Sequence, residues 1–299
     1  MDLLSPPEPP PLPNPKESAE GALARPLGQP ALHRFLEPGD RVAVLAPDRG
    51  EVEGLDFALE AIFEAAQRAG VAAIGLYTTA QEGAPQAWLG RRAEGGLRVL
   101  RPIAEADKLV VASRIAFHPL TGIWGGGLAL ASVAADEKTR ERLLEPGALS
   151  DFLSRLPPAF LLEAAYQRGG RPAALFAGEI GAAHAQASAY WRRWKGVDVG
   201  EGYEAVIAAV RCAERAAESI LLAARALRIG GTLVVVGPRP EAPSPPLARA
   251  LQAFPASSEL LFAEDLESAR RLAEARAPQG RLAHLPDPLR TLPIRSLSS

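Results

Sequence analysis

The chain has 299 residues, 47% of them apolar, and a formal net charge of −2, enough for two ordinary domains with a core each. No stretch approaches the ~20 uncharged apolar residues of a membrane span, and so small a charge offers no footprint for nucleic acid or an acidic membrane surface. The single cysteine, Cys212, excludes an intrachain disulfide and a thiolate metal cluster, and suits a reducing cytoplasm.

Residues 1–15 hold seven prolines and little to bury, and they lack the basic-then-apolar order of a secretory signal. Residues 1–16 are therefore expected to form a disordered Pro-rich tail. Glu20 to Phe35 reads as two short helices around a Pro26-Leu27-Gly28 turn, and Arg41 to Pro47 as a buried strand opened by Pro38-Gly39-Asp40. Leu55, Ala58, Leu59, Ile62, Ala65 and Ala66 recur at helical spacing, with Gly70 as the natural stop. Val71 to Tyr77 is the next strand, and strand–helix–strand of this kind predicts a parallel pair. Leu97 to Leu100 and Leu109 to Ala112 add strands, and Thr139 to Leu144 a polar-faced helix ended by Pro146-Gly147.

The second half continues the alternation. Ala173 to Gly178 leads into an Ala-rich helix carrying His184, Trp191 and Trp194, and Ala205 to Val210 is a strand. Ala213 to Leu227 is a helix, Gly230-Gly231 a turn, and Thr232 to Pro238 the strongest strand signal in the chain. Leu260 to Ala263, Leu266 to Arg276 and Arg281 to Leu285 complete a strand–helix–strand series. The pattern predicts two α/β domains with mostly parallel sheets and an interdomain cleft: residues 17–152 and 158–299, with a second chain crossing near Gly196.

One segment stands out for chemistry: His118 lies past a strand end, and Gly125-Gly126-Gly127 follows Trp124. A histidine can move a proton or receive a ligand; it can equally cap a loop. Glycines can aim backbone N–H groups at an anion or simply make a tight loop. Asp48, at the carboxyl end of the first strand, suits either a ligand contact in a parallel-sheet crevice or a helix cap. His33, His118, His184 and His284 are too scattered for a metal-ligand spacing, so no protein metal site is expected.

These residues resemble those of the nickel-pincer-dependent lactate racemase family. The similarity runs from about residue 17 to about residue 287. It includes the opening to Asp48, Glu105-Ala106-Asp107, the His118 segment, Phe176-Ala177-Gly178-Glu179 with Ala182-Ala183-His184, Ala223 to Thr232, and Leu261 to Pro286. The resemblance implies an isomerase of 2-hydroxy acids in which two histidines serve opposite faces of the substrate. A nickel-pincer nucleotide takes the hydride there, held covalently by a lysine ten residues after the histidine matched by His118.

On this basis His118 is the candidate catalytic residue, and Asp48, Arg49, Thr79, Gly125, Gly126 and Gly127 are the candidate ligand- or cofactor-binding residues. Several matched positions depart from the family: Ala80 and Leu144 replace histidines, Leu128 the cofactor lysine and Glu218 a second lysine, and Gly127 and Glu51 replace arginines. Only four lysines, Lys16, Lys108, Lys138 and Lys195, are present at all. The expectation is a shortened, divergent and catalytically degenerate member that binds a hydroxy acid or nucleotide-like ligand. The alternative is an active racemase or epimerase holding the pincer cofactor non-covalently. Candidate partners are a small-molecule ligand, an intact paralogue or a second copy of the chain, and not nucleic acid or membrane.

Overall fold

A computed structural model describes residues 1–47, 55–78, 98–145, 147–240, 245–252 and 258–294. In chain order these form β1 (Asp2–Leu3), α1 (Pro15–Ala24), α2 (Leu32–Phe35), β2 (Arg41–Leu45), α3 (Asp56–Ala69), β3 (Ala73–Tyr77), α4 (Arg101–Ala104) and β4 (Lys108–Arg114). Next come β5 (Ala116–His118), β6 (Gly122–Trp124), α5 (Gly126–Ala134), α6 (Glu137–Arg142), α7 (Ala148–Leu153), β7 (Ala159–Tyr166), β8 (Pro172–Gly178) and α8 (Ile180–Lys195). The remainder are β9 (Gly196–Asp198), β10 (Tyr203–Ala209), α9 (Ala216–Ala224), β11 (Leu227–Val236), α10 (Pro245–Gln252), β12 (Glu259–Ala263), α11 (Leu266–Arg276), β13 (Leu282–Leu285) and β14 (Leu292–Ile294).

Two compact units result: a larger one of Pro9–Ile115 with Trp124–Tyr190, and a smaller one of Met1–Glu8, Ala116–Ile123 and Trp191–Ser299. The junction expected between residues 152 and 158 is corrected by strand pairing. β7 lies parallel to β4 from Leu109↔Ala159 to Arg114↔Ala164, so residues beyond 158 complete the first sheet. The last crossing falls inside α8, near the one expected around Gly196.

The larger unit is a sheet in the order β3-β2-β4-β7-β8, parallel except for the antiparallel β7–β8 pair. Its strands are apolar on both faces, as a sheet covered on both sides requires. Val42, Val44, Val110 and Phe160 pack toward α1 and α3, while Ala43, Leu45, Leu109 and Leu161 pack toward α5. α3 stops where its pattern predicts: Gly70, at φ +72°, turns its N–H back onto the carbonyls of Ala66 and Gln67. The expected strand at 97–100 reduces, among the described residues, to one bridge between Val99 and Ala135.

The smaller unit is a wholly parallel sheet in the order β1-β13-β10-β11-β12. Val206, Ala208, Leu233 and Val235 share a core with Ile220 and Ala223 of α9; Ala205, Ile207 and Val234 share another with Ala269 and Ala273 of α11. Gly230-Gly231, expected as a turn, lies within β11, where the β10 register shifts between Tyr203 and Ala205. The expectation of a disordered tail is also corrected. Asp2–Leu3 pairs with β13, Leu4 is buried, the Tyr203 hydroxyl donates to Asp2 at 2.9 Å, and Lys195 reaches Glu8 at 2.7 Å. A proline-rich arm has no donors to spare, but an edge strand needs only a few, and Leu4 gives it apolar area to bury.

Lys195, 1% exposed, also lies over the Trp191 ring. The Trp191–Lys195 cluster is thus a packed helix end. Among the described residues no helix is long and apolar enough to cross a membrane.

Candidate functional site

Open parallel sheets bind ligands beyond the carboxyl ends of their strands, where successive connections leave in opposite directions. In the smaller unit that point lies between β10 and β13, because α9 leads from β10 to β11 on one side and α11 returns the chain to β13 on the other. Asp287 follows β13 there, nearly buried, with Arg290 at 3.5 Å and Arg211 at 3.7 Å. Arg215 opens α9 and forks onto Glu218 at 2.7 and 3.0 Å. β5, which carries His118, packs against the short turn Pro288–Arg290 at this edge.

His118 is half-buried, and its ring has a definite orientation. The backbone N–H of Thr121 donates to Nδ1 at 3.2 Å, and the Thr121 hydroxyl lies 3.1 Å from the same atom. A backbone amide can only donate, so Nδ1 is an acceptor and the neutral ring carries its proton on Nε2. Burial holds this imidazole below the usual histidine range; Glu218 opposes that shift and Arg215 adds to it. At neutral pH His118 therefore presents an N–H donor and no free basic nitrogen.

The glycines fall in the larger unit and have other work. Gly125 has φ +147°, and a Cβ there would overlap Glu163 Oε1; a Cβ on Gly126 would come within 2.7 Å of the His184 ring. Glu163 lies in β7 opposite Ser113 and is fully buried. Its Oε1 accepts from the Gly126 N–H at 2.7 Å and from the Ser113 hydroxyl at 3.2 Å, and its Oε2 lies 2.9 Å from His184 Nδ1. The Gly126 amide expected to meet an external anion is thus occupied by the protein's own carboxylate. Gly127 is a packing position, where a Cβ would approach Leu153 to 2.7 Å.

A carboxylate can only accept, so His184 Nδ1 carries a proton and Nε2 is the nitrogen left to accept one. Of the two histidines, it is His184 that has the orientation of a base. Asp48, Arg49 and Thr79 lie outside the described residues. Glu163 is the functional side chain absent from the sequence candidates, and its one signal is a lone carboxylate inside Ala-Phe-Leu-Leu-Glu-Ala-Ala-Tyr: a charge in a buried strand requires partners.

The residues do not fit a covalently held pincer cofactor. Leu128, half-buried on α5, has no atom that can form the link, and its N–H is engaged with the Gly125 carbonyl at 3.0 Å. Among the described residues no group of three or more His, Cys, Asp or Glu side chains is arranged to hold a metal ion.

No family model matches the chain. No curated protein matches it either. Solved structures do. A lactate racemase apoprotein from Thermoanaerobacterium thermosaccharolyticum is similar over 94% of this chain and 93% of its own, with a TM-score of 0.76 at 15% identity. A protein from Thermotoga maritima is similar over 91% of this chain and 92% of its own, with a TM-score of 0.54 at 12% identity. Identities this low establish architecture, and the architecture they establish along nearly the whole chain is the lactate racemase fold.

Proposed function

We propose that this chain is a divergent member of the lactate racemase family that binds a small 2-hydroxy acid without racemising it. One observation carries the reading: Thr121 holds His118 Nδ1 as an acceptor, so the ring's other nitrogen is protonated. Removing a proton from carbon requires an unprotonated nitrogen whose lone pair faces the substrate; donating a hydrogen bond to a carboxylate or hydroxyl oxygen requires an N–H. His118 is built for the second task. Arg211 at the same end of the sheet, its side chain 75% exposed, suits an acid as ligand. The replacement of the cofactor lysine by Leu128 supports the loss of hydride chemistry.

The test is titration of the purified protein with D- and L-lactate and longer 2-hydroxy acids by calorimetry, with a racemisation assay run with and without added nickel-pincer cofactor. The expected result is binding of at least one acid, weakened about 10-fold in His118→Ala, equivalent to about 1.4 kcal/mol. No racemisation is expected under either condition. Racemisation above the uncatalysed control, or no binding across the panel, overturns the proposal.

A further inference from the structure

The larger unit contains a group of side chains with no part in binding at His118. Glu163 Oε2 lies 2.9 Å from His184 Nδ1, and His184 Nε2 lies 3.5 Å from the Ser188 hydroxyl, one turn further along α8. Glu163 and His184 are held in place. Glu163 is fully buried and fixed by Gly126 and Ser113, and the His184 ring packs where only glycines fit at 125 and 126. His184 keeps about a quarter of its side chain exposed. It lines an open groove of about 620 Å³ walled by Leu130, Leu149, Leu153, Leu156, Pro157 and Ile180. That volume suits a small organic ligand. Carboxylate to imidazole to hydroxyl, in that order of contacts, is the arrangement that activates a serine nucleophile, and it is identified by geometry and not by fold.

We propose that Ser188, which lies beside the groove at 3.5 Å from its lining residue His184, is an activated nucleophile that accepts short acyl groups from esters whose apolar acyl chain lies in the groove. His184 Nε2 takes the proton of Ser188 Oγ as Oγ bonds to the acyl carbon. The bond from that carbon to the leaving oxygen breaks, and the leaving group departs with the proton from His184. Water then attacks the acyl-serine, gives a proton to His184, and releases the carboxylic acid as that proton returns to Ser188 Oγ. Glu163 is a positioning residue that keeps Nδ1 protonated and Nε2 free. The backbone donors around the pair are engaged: Gly126 N–H with Glu163, and Gly181 and Ala182 N–H with Glu179 at 3.0 and 2.7 Å. With those amides unable to stabilise an oxyanion, the site favours acyl groups on good leaving groups, such as aryl esters, over amides.

The experiment is hydrolysis of p-nitrophenyl butanoate by the full chain, with acid-quenched peptide mass analysis for the acyl adduct. The expected result is a butanoyl group on the peptide containing Ser188, and a loss of about 100-fold in kcat/KM in Ser188→Ala, the scale of a lost acid–base partner. His184→Ala is expected to lose activity and to regain part of it with added imidazole, which a merely structural histidine would not do. Melting curves identify any variant that fails to fold, and Ser188→Ala, a small change at a half-buried position, keeps the test decisive. Undiminished hydrolysis in Ser188→Ala, an adduct elsewhere, or no adduct at all overturns the proposal.

Discussion

Gly125→Ala puts the packing of the Glu163 carboxylate to a quantitative test. The new Cβ overlaps Glu163 Oε1, and the backbone at φ +147° and ψ −167° is one that alanine avoids. Holding a non-glycine residue there costs about 1–3 kcal/mol. Displacing the carboxylate also breaks its bonds from Gly126 N–H at 2.7 Å and Ser113 at 3.2 Å. Hydrogen bonds to a charged group contribute about 1.5–3 kcal/mol each. The combined loss is roughly 4–9 kcal/mol, comparable to the entire stability of many domains. The matched control in the same unit is Gly39→Ala, where φ is +91° but nothing lies within 4 Å of the added Cβ; backbone strain alone costs about 1–2 kcal/mol. Urea unfolding of the two variants measures the difference. In a Glu163→Ala background the cost of Gly125→Ala should fall toward that of the control, a coupling of roughly 3–6 kcal/mol, the share of the two hydrogen bonds. Equal losses for Gly125→Ala and Gly39→Ala, or additive losses with Glu163→Ala, would refute the claim that the glycines make room for the carboxylate.

Two further outcomes follow from the structure. Deleting residues 1–5 removes buried Leu4 and the Asp2 acceptor of Tyr203, and should lower stability by roughly 2–4 kcal/mol; an unchanged melting temperature would restore the view of this arm as a free tail. Burial also holds His118 and His284 below the ordinary histidine range, which lies near pH 6.5, so the unfolded chain binds more protons than the folded one just below that pH. Their contribution is complete above about pH 6.5 and is lost as the pH falls toward their folded values. Urea midpoints at pH 7.5 and 5.5 should therefore converge in the double variant His118→Asn/His284→Asn; an unchanged gap would contradict the assignment.

The sheets were legible in the chain because their strands are short apolar runs between turn residues: Arg41–Leu45 and the distal half of Leu227–Val236 appear where their composition places them. α3 was legible from its spacing and from Gly70. β7 was hidden by Pro157-Pro158, which reads as a linker, although Leu109 N–H pairs with the Pro158 carbonyl and so ties that linker into the sheet. α5 was hidden because it starts on glycines with no side-chain cap, against both propensity and capping rules. Its N-terminus is satisfied instead by Glu163, 37 residues away in the chain, and no local pattern reveals such a pair. His118 was found through resemblance, but its proton placement depends on a turn that brings Thr121 N–H to Nδ1, a geometric fact that residue types do not encode.

The central claim is a division of labour between two rings: His118 offers a donor, and His184 offers a base. Long-range 15N–1H correlation spectra of the imidazoles near neutral pH read it directly, with His118→Asn and His184→Asn giving the assignments. The account predicts that His118 is the Nε2–H tautomer with an unprotonated Nδ1, and that His184 carries its proton on Nδ1. A His118 ring protonated on Nδ1, or a His184 ring with Nδ1 bare, would contradict it.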